Sequence, residues 1–133
     1  MYFFRRVNTW AARKMPVKTA RARDRRAVAS ISFDDFPQSA WQIGGPILAR
    51  AGARATYYTA GGLCGRKHNG IMHFSTEDLV ALTRAGHELG CHGFAHQPAP
   101  SLSDRALAAD AICNAGFLAP FLGGRAPESY AYP

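Results

Sequence analysis

From Ala27 onward, short apolar runs alternate with longer stretches in which apolar residues recur at three- or four-residue spacing. Residues 27–33 are apolar and β-branched, stop at the acidic pair Asp34-Asp35, and predict a buried strand. Pro37-Gln38-Ser39 offers a helix start. Residues 40–51 then carry helical spacing, interrupted by Gly44-Gly45-Pro46 and stopped at Gly52. Residues 54–60 predict a second strand, and Gly61-Gly62-Leu63-Cys64-Gly65 a loop. Ser75-Thr76-Glu77-Asp78 opens a further helix, with Ser75 or Thr76 as cap and acids in its first turn; it runs over 79–85 and ends at Gly86. Residues 87–92 predict a third strand leading into a loop with His96 and Pro98. Ser101 to Ser103 cap a helix over 104–118, and residues 128–133 open a fourth strand.

This β-α-β-α-β-α-β order predicts an α/β fold, a parallel sheet with crossover helices. Ligands in such sheets collect at the carboxyl ends of the strands. The first strand delivers Asp34-Asp35 to that rim; the third delivers His92, with His96 four residues on.

Composition changes this picture in one place. A chain of 133 residues with 47% apolar content suits about one packed domain, not a disordered chain. No run approaches the ~18 apolar residues of a membrane-spanning helix, so no membrane span is expected. The net charge of +7 is uneven: residues 1–26 hold nine Lys/Arg and one acid, the remainder seven Lys/Arg and eight acids. The basicity belongs to an N-terminal tail, expected to be flexible, and no specific nucleic-acid partner is expected of the folded part. A nucleic-acid-binding tail is the third-ranked functional class, and would show as salt-sensitive polyanion binding. Cys64, Cys91 and Cys113 are odd in number and lack a CxxC pair, which favours reduced thiols. With no apolar leader after Arg5-Arg6, the expected location is cytoplasmic; the Arg-rich opening also suits an organelle transit peptide.

Two imidazoles and one carboxylate are a sufficient protein ligand set for an open zinc site that keeps a position for water. His-x-x-x-His lets both rings face one point on a helical turn or tight loop. Water on such an ion has a pKa near ~7, and a second carboxylate can take its proton. Asp34-Asp35 supplies both carboxylates. His68, His73 and His87 lack such partnering and are read as loop, surface or packing residues; Cys91 is read as a strand-core thiol. The set favours Zn²⁺ and leaves Co²⁺, Ni²⁺ and Fe²⁺ open.

In this order and context the sequence resembles the polysaccharide deacetylase family, also called the NodB-homology or carbohydrate esterase family 4 domain. Ile31-Ser32-Phe33-Asp34-Asp35 is similar to its first motif, the run from Gly86 to His96 to its second, and Tyr130-Ala131-Tyr132-Pro133 to the opening of its third. The resemblance covers residues 27–133. It implies a partial (β/α) barrel, about four β/α units of the family's fold, with Asp34 as catalytic base and Asp35, His92 and His96 as metal ligands. It also implies an acetylated carbohydrate substrate, losing N- or O-acetyl groups to metal-activated water. Phe36 stands where the family commonly has Gly, and Ala131 where it often has Arg. The later motifs would fall beyond Pro133, so the chain is expected to be a truncated, N-terminal portion. From that follow a second reading, an inactive metal- or sugar-binding remnant, and self-association through the open barrel edge.

Overall fold

The computed structural model describes residues 27–133; the basic segment 1–26 lies outside the described residues. Three parallel strands form the central sheet: β1 (Ser32–Phe33), β2 (Thr56–Thr59) and β5 (Glu88–Cys91), in the order β1-β2-β5. Phe33 pairs with Tyr57, Tyr57 with Leu89, and Thr59 with Cys91, so the carboxyl ends of all three strands lie at one edge. Among the described residues no helix is long and apolar enough to cross a membrane.

The first strand is far shorter than the expected 27–33. Val28 is 80% exposed and residues 27–31 carry no ladder, because apolar character alone does not make a strand without a partner edge. The expected helix over 40–51 is two helices, α1 (Gln38–Gln42) and α2 (Gly44–Arg50), broken at Ile43. Gly45 explains part of the break: a Cβ there would meet the Trp41 ring at 2.6 Å. Trp41 keeps that space and packs edge-on against Tyr57 and His87.

Two helices follow their caps. Ser75 and Asp78 form a reciprocal capping box at the start of α3 (Thr76–Arg84), which buries Leu79 and Leu82 against the sheet. Ser103 caps α4 (Asp104–Leu118), which buries Asn114 and Leu118. Tyr57, Phe36, Phe74, Leu89 and the helix residues Leu79, Leu82 and Leu118 form one core, with Tyr57 fully buried among Phe33, Phe36, Trp41 and His87.

One further expectation requires correction. Residues 128–133 do not form a strand but a single parallel bridge between Tyr130 and Cys91, held by Cys91 N–H to the Ser129 carbonyl and Ala131 N–H to the Cys91 carbonyl. The ladder stops because the neighbouring chain turns away at Gly93, whose φ is 68°. The stretch after Gly65 also holds an unexpected hairpin, β3 (Lys67–His68) and β4 (Ile71–Met72). Its two-residue turn, Asn69-Gly70, has φ of 49° and 81°, the paired left-handed backbone a tight hairpin demands.

Candidate metal centre

Asp35 follows β1 and His92 follows β5, so both project from the carboxyl rim. His96 joins them from the loop after His92. Asp35 Oδ1 lies 3.0 Å from His92 Nε2 and 2.7 Å from His96 Nε2. One donor atom from each residue lies within 4.8 Å of the other two. Ligand atoms on a tetrahedral ion at ~2.0–2.2 Å sit roughly 3.4 Å apart, so slight opening admits one. His92 is buried, while the Asp35 carboxylate is half exposed, so the cluster is anchored below and open above.

The orientation of His92 fits a ligand. Its Nδ1 lies 3.0 Å from the Ala131 carbonyl oxygen, which can only accept, so Nδ1 carries the proton and Nε2 keeps its lone pair. A proton or a cation between Nε2 and Asp35 satisfies that contact equally. Burial pushes the Asp35 carboxyl up, but hydrogen bonds and charge from His96 and then His92 outweigh it, holding the group below the usual range.

The backbone beneath Asp35 is strained. Asp35 and Phe36 have φ of 60° and 47°, a left-handed conformation costing on the order of 1–3 kcal/mol for each non-glycine residue. Phe36 occupies the position where the resembled motif commonly has Gly, and the positive φ is the physical reason glycine suits it. Here the ring offsets the strain: it is fully buried, stacked on Phe74 at 4.9 Å and tilted against Tyr57 at 4.8 Å. His73, expected to be a loop or packing residue, is buried and donates from Nδ1 to the Asp35 carbonyl at 2.9 Å, locking the turn from behind.

The histidine loop has its own support, which residue patterns did not reveal. Asp110 on α4 accepts from Phe94 N–H at 2.8 Å and Ala95 N–H at 2.9 Å, one carboxylate oxygen to each. Gly93 makes room for it; a Cβ there would meet Asp110 Oδ2 at 2.5 Å. One turn along the helix, buried Asn114 accepts from Gly61 N–H and donates to the Thr59 carbonyl, pinning the end of β2. Its amide also lies 3.2 Å from the Cys91 sulfur, and Cys91 is buried, as a strand-core thiol should be. The available signal was two polar residues four apart on the face of α4 that also carries Leu118.

Asp35, His92 and His96 thus come together, while Asp34 does not join their cluster. It is exposed at the end of β1, and among the described residues it has no hydrogen-bond partner. His68 is exposed on the hairpin, and His87 is buried at the opposite end of β5.

Residues 21–133 match the family model described as polysaccharide deacetylase. The chain belongs to the polysaccharide deacetylase family. Solved structures agree on the fold. IcaB from Ammonifex degensii matches with a TM-score of 0.69 at 24% identity, over 78% of this chain and 49% of that one. The Streptococcus pyogenes deacetylase PplD, in complex with acetate, matches at 0.69 and 19% identity, over 78% and 45%. The family 4 carbohydrate esterase from Streptomyces lividans, also in complex with acetate, matches at 0.62 and 21% identity, over 78% and 50%. This family member therefore spans about half the length of the solved relatives it matches. No curated protein matches it.

Proposed function

We propose that the chain carries the metal centre of a hydrolase that removes N- or O-acetyl groups from carbohydrate polymers or oligosaccharides. The observation that carries this reading is the convergence of Asp35, His92 and His96 on one point of the carboxyl rim, with the His92 ring oriented by the Ala131 carbonyl. Acetate in two of the structural neighbours supports an acetyl group as what such a rim handles. The donor set favours Zn²⁺, with Co²⁺, Ni²⁺ and Fe²⁺ as alternatives. A cation there supplies Lewis acidity and brings the pKa of water to ~7. Asp35, His92 and His96 hold that centre; Asp34, exposed beside Asp35, acts as general base and takes the proton from the attacking water.

The test is acetate release from N-acetylglucosamine oligomers and an O-acetylated oligosaccharide by the Zn²⁺-supplemented chain. Release is expected to fall by about 10²–10⁴-fold in Asp34→Ala with metal binding retained, as for loss of a general base. Stoichiometric metal binding without acetate release overturns the catalytic reading in favour of a non-catalytic metal- or sugar-binding protein.

A further inference from the structure

One carboxylate ties two neighbours together across β5. Glu88, the first residue of that strand, accepts from the Thr56 hydroxyl of β2 at its Oε2 and from the Ser129 hydroxyl at its Oε1, each at 2.6 Å. Hydroxyl contacts this short to a carboxylate belong to the strong, charge-assisted class. Gly90 clears the path between them. A Cβ there would meet the Ser129 Oγ at 2.8 Å and the Tyr58 ring at 2.5 Å, so a larger residue would push the Ser129 hydroxyl away from Glu88.

Ser129 begins the stretch that orients His92. Its carbonyl accepts the Cys91 N–H at 2.9 Å, the Cys91 carbonyl accepts the Ala131 N–H at 2.9 Å, and the Ala131 carbonyl accepts from His92 Nδ1 at 3.0 Å. Little else holds this stretch. Its bridge to β5 is a single pair, the Tyr130 hydroxyl is buried without a partner, and Ala131 has no polar side chain. Among the described residues, the Ser129–Glu88 bond is the only side-chain hydrogen bond tying residues 128–133 to the strands, apart from that of His92 itself.

We propose that Glu88 is a positioning residue for the metal centre: through Ser129 it fixes the Ala131 carbonyl, and with it the ring of His92. The inference rests on the metal-centre reading above and adds to it a residue at the opposite end of β5 from the rim. Glu88 bonds to none of Asp35, His92 and His96. Its action is indirect. Freeing Ser129 lets the Ala131 carbonyl drift, and the Nε2 lone pair of His92 then loses its fixed direction.

The test pairs a Zn²⁺ titration with amide hydrogen exchange in the metal-free chain. E88A and S129A should each weaken Zn²⁺ binding by about tenfold, the lower end of what loss of an outer partner costs. Both should also speed exchange of the Ala131 N–H, with circular dichroism unchanged. E88Q should recover most of the affinity, because its amide can accept from one hydroxyl and donate to the other. T56V removes the other partner of the same carboxylate. If Glu88 served only to brace the sheet, T56V would match E88A; it should instead leave both Zn²⁺ affinity and Ala131 exchange unaltered. The double variant E88A/S129A should lose no more than either single one, since both cut the same link. Unchanged affinity in E88A or S129A, an equal loss in T56V, no recovery in E88Q, or additive losses in the double variant would each overturn the proposal. Failure of the metal-centre reading would look different: no Zn²⁺ binding by the wild type, with the exchange pattern intact.

Discussion

His87 and His92 stand at opposite ends of one short strand, both buried, yet their chemistry is opposite. At the amino end, His87 Nδ1 accepts the Ala55 N–H at 3.1 Å, and the ring packs edge-on against Trp41 and Tyr57. Its lone pair is consumed in closing the sheet, and burial, with Arg54 nearby, pushes its pKa down. At the carboxyl end, His92 spends its N–H on Ala131 and turns its lone pair toward Asp35 and His96. Burial does not separate the proposed ligand His92 from the structural His87; the nitrogen left over after backbone pairing does. The same contrast holds for strain. Backbone tension is concentrated at Asp35, Phe36 and His96 on the rim, while the amino end of β5 begins after a left-handed glycine, Gly86.

The largest effect that sharpens this contrast is loss of a proposed rim ligand. Asp35→Ala should weaken Zn²⁺ binding beyond the ~10–100-fold that removal of an outer partner costs, as measured by competition with a chromogenic chelator. Phe36 tests how the rim strain is offset. Phe36→Ala should destabilise by about 3–5 kcal/mol through loss of the buried ring. Phe36→Gly should cost less than Phe36→Ala, reversing the usual order, because glycine relieves the positive φ; denaturant unfolding of both variants checks this. Asp110→Ala should lower metal affinity by about 10–100-fold by freeing the Phe94 and Ala95 amides, leaving the secondary structure seen by circular dichroism intact.

The smallest effect lies at the structural end. Because the folded state lowers the His87 pKa, the unfolded chain takes up the proton first as pH falls. The His87 contribution is therefore fully present above its ordinary value of 6.5 and declines below it until the folded pKa is reached. His87→Phe should remove that component of the pH profile. It should also destabilise by about 1–3 kcal/mol by leaving the Ala55 N–H unpaired, with metal affinity unchanged.

The residues that cluster at the carboxyl rim and the alternation of strands and helices were legible because both are local. Asp34-Asp35 closes an apolar run, His92 and His96 share a short spacing, and Ser75 and Ser103 announce their helices through caps. What was not legible depends on the third dimension. Asp110 and Asn114 look like ordinary polar helix residues until α4 is laid across the ends of β2 and β5. His73 gains its role only because the hairpin folds back over Asp35. The hairpin turns on Asn69-Gly70, but its two-residue strands are too short to carry an apolar alternation. The fourth strand expected over residues 128–133 shrinks to one bridge with Cys91, because the neighbouring chain turns away at Gly93.

The most direct test sets His92 against His87 in one Zn²⁺ titration of the wild-type chain, His92→Gln and His87→Gln. Near-stoichiometric binding by the wild type and His87→Gln, lost in His92→Gln, is the predicted result. Retained binding in His92→Gln, or loss confined to His87→Gln, would contradict the assignment of the carboxyl rim as the metal centre.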